Sequence, residues 1–158
     1  MKQSPLYEIH REHGARLLPE EEPRPLLTYG DVPGEYEAAK TTWITFDDTD
    51  RGAVLAKGAD AGTFLHGLLA NEVRNLPIGA ETPNLLLDPK GKVRFVFELR
   101  RTGDEEFQLS TEPGQADALL QALDMYLFSE EVELAEVTDQ HAPITIAGPG
   151  AEGGLAAL

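Results

Sequence analysis

An α+β fold, an antiparallel sheet with helices on one face, is predicted by three observations. Residues 84–101 read NLLLDPKGKVRFVFELRR, two apolar runs flanking the turn Asp88-Pro89-Lys90-Gly91. Residues 61–73 and 116–127 each repeat apolar side chains at helical spacing. Between and around them lie short runs with the period of two that marks a strand buried on one side.

Residues 1–33 carry Pro5, Pro19, Pro23, Pro25 and Pro33 and the acidic run Glu20-Glu21-Glu22, so they read as an irregular arm. Within it Leu6, Ile9 and His10 share a face, and Gly14 closes a short helical turn. His10 and His13 sit three apart, a spacing that suits a metal pair, yet no further ligand lies near. They read as two histidines of an exposed arm, and no metal is expected. Pro33–Thr42 starts with a proline suited to a first helical turn and continues with good helix formers. Asp47-Asp48-Thr49-Asp50 lacks the glycine and distant glutamate of an EF-hand, so a solvated acidic turn is expected.

Gly52–Lys57 is a short apolar strand, and Asp60 is placed to cap the helix that follows. That helix carries the stripe Phe64, Leu65, Leu68, Leu69 and Val73, with His66 off it on the surface. In the hairpin, Pro89 pre-sets a type I corner and Gly91 supplies a positive φ. Val93, Phe95, Phe97 and Leu99 then face one way, and Arg94, Val96, Glu98 and Arg100 the other. Glu106–Thr111 is a third strand, and Thr111 is expected to cap a second helix with Pro113 in its first turn. Ala116, Leu119, Leu120, Leu123 and Leu127 form its buried stripe. Val132, Leu134 and Val137 make a further strand, and Pro143–Ala147 a last one.

The order from Gly52 is strand, helix, strand, strand, helix, strand, with a final strand added. That order predicts a ferredoxin-like split β-α-β sandwich. Residues 1–42 are then an arm and first helix, 43–150 the domain, and 151–158 the start of a next region. The formal net charge of −15 disfavours direct contact with nucleic acid or anionic membrane surfaces. There is no cysteine, which excludes disulfides and thiolate chemistry within the chain. With no apolar run after Met1-Lys2 and no stretch long enough to span a bilayer, a cytoplasmic protein is expected.

Several fragments together resemble one family. KGADAGTFLHGLLANEVRNL resembles the V-x-G-x-D-A-x-x-F-L-x-x-L-L-T-N-D-V segment of the glycine-cleavage T-protein (aminomethyltransferase) superfamily. LYEIHREHGARLLP and EYEAAKTT resemble its N-terminal arm and first helix, and LLLDPKGKVRFVFELRR its central hairpin. LDMYLFSEEVELAEVTDQHAPITIAGPGA is similar to the YgfZ-type folate-binding proteins of that superfamily. The aminomethyltransferases carry an Asp-Asp pair after the turn glycines, and the matching positions here are Phe95 and Val96. An apolar side chain relays no proton.

The resemblance therefore implies a non-transferase, YgfZ-type protein without enzyme activity or catalytic residues of its own. Such a protein binds tetrahydrofolate and supports iron–sulfur cluster assembly or repair, including for enzymes that modify tRNA. The signature cysteine of that branch lies in its C-terminal half, so the chain reads as an N-terminal domain that ends where the next region begins. Iron–sulfur proteins or a separate C-terminal domain are the implied partners. Two other readings stand beside this one: half of a folate-dependent aminomethyltransferase acting with a partner chain, and a structural remnant with an uncovered apolar face. For folate, the resemblance implies Asn84, Phe95, Val96 and Thr111, with Asn71 a weaker candidate. Lys90, Lys92 and Arg94 would meet its glutamate tail. Each has a plainer role open to it, as strand end, helix cap, core residue or solvated turn.

Overall fold

The computed structural model describes residues 4–17 and 26–156. The expected acidic run Glu20-Glu21-Glu22 and Pro19, Pro23 and Pro25 lie outside the described residues. Along the chain come α1 (Tyr7–Glu12), β1 (Arg16–Leu17), β2 (Leu26–Thr28), α2 (Val32–Thr41), β3 (Ile44–Asp47), β4 (Gly52–Lys57) and α3 (Ala61–Leu68). Then follow β5 (Glu81–Leu87), β6 (Val93–Gly103), β7 (Glu106–Thr111), α4 (Ala116–Asp124), β8 (Glu133–Glu136), β9 (Ile144–Ala147) and α5 (Ala151–Ala156). They group into two compact units: Arg51–Gln140, and the described residues up to Asp50 together with those from His141.

The Arg51–Gln140 unit holds a five-stranded antiparallel sheet in the order β5-β6-β7-β4-β8. Without β5 the order is that of a doubled split β-α-β, with α3 leading out of β4 and α4 out of β7. The apolar run Leu85–Leu87 pairs with β6, with a register shift between Leu86 and Leu87, so three strands rather than two stand between the helices. Val54, Ala56, Phe97, Leu99, Phe107 and Leu109 of the sheet pack with Phe64 and Leu65 of α3 and Leu119 and Leu123 of α4. This is the core, and burial of such side chains stabilises it by about 1.5–3 kcal/mol each.

Three local expectations are corrected. The helix expected through Val73 stops at Leu68; Leu69 turns extended and bridges Leu86, and Val73 is buried from the loop that follows. Asp60 does not cap its own helix. Its Oδ2 accepts instead from the Glu131 amide at 2.9 Å, tying the start of α3 to the approach of β8. Thr111 is not a helix cap either: it completes β7 between Gly52 and Phe97 in the ladder, and α4 begins only at Ala116.

In the other unit β1 pairs with β2, and β3 pairs with β9 in four antiparallel registers. The expected last strand therefore does not extend the five-stranded sheet, because Ile44–Asp47 offers it a complete edge. Asp31 caps α2, its Oδ1 accepting from the Gly34 amide at 3.1 Å, with Pro33 in the first turn. Among the described residues no helix is long and apolar enough to cross a membrane.

Candidate functional site

The hairpin of β5 and β6 presents two different faces. Its turn is held by Asp88, whose Oδ1 accepts from the amides of Lys90 and Lys92 at 2.8 and 2.9 Å. Gly91 sits at φ 78°, the positive angle expected of it. Phe95, Phe97 and Leu99 turn toward the helices, whereas Arg94, Val96 and Arg100 are exposed. Leu85 of β5 is the cross-strand partner of Val96. Alternation therefore divides the sequence-predicted folate residues: Asn84, Phe95 and Thr111 lie on the helix side, Arg94 and Val96 on the other.

Asn84 is buried, at 2% exposure, and fully engaged. Its Oδ1 accepts from the amides of Asn71 and Leu85, both at 3.0 Å. Asn71 donates through Nδ2 to Thr82 Oγ1 and the Pro83 carbonyl, each at 3.1 Å. The two asparagines thus bind the segment after α3 to the edge strand. Thr111 is packed at the end of β7, half-buried Phe95 rests against the core, and the Arg94 guanidinium lies 5.6 Å from the Phe95 ring centroid.

A second cluster, in the β3–β9 unit, was not expected. His10 is buried, contrary to its reading as an exposed arm residue, while His13 is exposed. The His10 Nδ1 is 2.7 Å from Tyr29 Oη and its Nε2 2.8 Å from Asp47 Oδ2. Ser4 donates to the same Asp47 oxygen, and the Thr49 amide and hydroxyl reach Oδ1. Asp47 is thus the anchored end of β3 rather than part of a solvated turn, and Thr49 is only 1% exposed. Burial pushes the Asp47 carboxyl up, but the hydrogen bonds from Ser4, Thr49 and His10 outweigh it and hold the group below its ordinary value. A cavity of about 460 Å³ adjoins the cluster, with Tyr29 and Asp47 in its wall. Among the described residues no group of three or more acidic, histidine or cysteine side chains is arranged to hold a metal.

Comparison with known proteins places these features in a wider setting. The GCVT N-terminal domain family matches residues 6–158. The chain is 28% identical over 158 residues to an aminomethyltransferase of Thermus thermophilus, covering 100% of this chain and 45% of that protein. An aminomethyltransferase of Rubrobacter xylanophilus is 30% identical over 153 residues, covering 96% and 41%. The crystal structure of glycine cleavage system aminomethyltransferase T from Bartonella henselae superposes with a TM-score of 0.89 at 26% identity, over 99% of this chain and 43% of that one. The chain thus spans less than half the length of the curated relatives it matches.

Proposed function

Because the chain belongs to the GCVT N-terminal domain family, we propose that it is the folate-contacting part of an aminomethyltransferase-type protein. The relatives' names favour this reading over the iron–sulfur role that the YgfZ-type resemblance implied. One observation on the chain itself carries it, the outward face of the β5–β6 hairpin. Val96 and Leu85 form an apolar pair there, Arg94 and Arg100 stand at outward positions of the same strand, and Lys90 and Lys92 lie in the turn. An apolar patch suits a flat heterocycle, and the cations suit a carboxylate tail. The donor set fits tetrahydrofolate, whose nitrogens supply the acceptor for a one-carbon unit when it is bound. Val96 and Arg94 would touch it; Phe95 and Thr111 support the strands from beneath, and Asn84 with Asn71 fixes the edge.

Phe95 and Val96 hold no proton, so the hairpin binds and orients, and proton transfer falls to groups elsewhere. Those two residues also favour a second reading, a YgfZ-type protein that binds folate without transfer and serves iron–sulfur proteins.

Calorimetric titration of the chain with tetrahydrofolate tests the first claim. Saturable binding is expected, weakened about tenfold by Arg94→Ala and by Val96→Asp. Absence of saturable heat from the folded protein overturns it. Aminomethyl transfer measured with a complementary C-terminal half separates the readings: turnover supports the transferase, and folate binding without turnover the second.

A further inference from the structure

We propose that the cavity of the β3–β9 unit is a binding site for a primary alkylammonium ion. Three aromatic residues, Tyr29, Trp43 and Phe46, line it together with three carboxylates, Glu35, Asp47 and Asp48. The rings are partly open to solvent, Trp43 at 39%, Phe46 at 48% and Tyr29 at 49%. Aromatic faces beside unneutralised carboxylates are the surroundings a desolvated organic cation requires.

Among the described residues Glu35 and Asp48 are oriented without a cationic partner. Glu35 Oε1 accepts from the Thr28 hydroxyl and the Tyr29 amide, both at 2.7 Å. Asp48 Oδ2 accepts from the Thr145 hydroxyl. All these donors are uncharged. Among the described residues no lysine or arginine pairs with Glu35 or Asp48, and none lines the cavity. Asp47 alone has a titratable partner, His10.

Tyr29 and Asp47 meet at His10. The ring's Nδ1 is 2.7 Å from the phenol oxygen and its Nε2 2.8 Å from Asp47 Oδ2. The carboxylate oxygens of Glu35 and Asp48 in this wall can only accept, which an ammonium with three N–H donors matches, and their charge repels a carboxylate or phosphate. Leu26, Leu27 and Ile44, also in the wall, suit a short aliphatic chain behind the head group. This site is independent of the folate reading.

Trp43 is the chain's one tryptophan, so its fluorescence reports on the cavity directly. Titration of the whole chain with n-butylammonium chloride is expected to give a saturable change, and n-butanol at equal concentrations is not. Asp48→Asn and Phe46→Ala should each weaken binding about two- to fivefold while the far-ultraviolet dichroism stays that of the folded chain. Nα-acetyl-lysine amide binding more tightly than butylammonium assigns the site to a side chain of a protein partner, and the reverse to a free amine. An equal response to butanol, or affinity unchanged in both folded variants, overturns the proposal.

Discussion

Among single residues Asp47 has the clearest pH signature. Hydrogen bonds from Ser4, Thr49 and His10 overcome its burial and keep its native carboxyl below the ordinary 3.8. The unfolded chain therefore takes up this proton at a higher pH than the folded one. Its contribution to stability is complete above the unfolded value and fades as pH falls through the lower native one. Asp47→Asn should cost about 2–4 kcal/mol at pH 7, because it leaves His10 and two hydroxyls without their charged acceptor. Urea denaturation at pH 7 and pH 3 checks this: the gap between wild type and variant should narrow toward pH 3. A gap of constant size would mean that the loss is one of packing alone.

The elements show which information is local. Turn chemistry at Pro89 and Gly91 and a period of two through Phe95–Leu99 need no distant partner and formed as read, whereas Val93, expected on the same face, is exposed where the ladder shifts register. The stripes of α3 and α4 were visible for the same reason. Their ends were not, because Asp60 found the Glu131 amide and Thr111 found Gly52, partners brought near only by the fold. The His10–Asp47 pair was hidden in the same way, since DDTD has the composition of a solvated loop wherever it lies. Of the folate candidates, their order along the strands was legible, and their separation onto two faces follows from alternation. Two glycines give an element-scale contrast. Gly91→Ala meets only the cost of its positive φ, about 1–2 kcal/mol, since nothing lies within 4 Å of the added Cβ. A Cβ on Gly58 would stand 2.0 Å from the Glu131 carbonyl oxygen, so Gly58→Ala must push apart the β4 and β8 ends. Thermal unfolding should show a loss in melting temperature clearly larger for Gly58→Ala than for Gly91→Ala.

For the molecule as a whole the charge of −15 sets a condition on every measurement above. Like charges repel within each unit, and salt screens them over a Debye length of about 10 Å at 0.1 M. Melting temperature should therefore rise by a few degrees, roughly 2–6 °C, between 10 and 300 mM sodium chloride. A fall would mean that the attractive pairs, such as Lys57 with Glu106, outweigh the general repulsion.

The pairing of β3 with β9 bears on how the protein is made. Strand β3 leaves the ribosome long before its partner, which is translated about a hundred residues, or roughly 5–20 seconds, later. The intervening Arg51–Gln140 unit has all its own strands by then. During synthesis Ile44–Asp47 thus waits as an unpaired edge, with Phe46 beside the still unfilled place of Ile144–Ala147. That interval is when a nascent-chain chaperone would have most to hold.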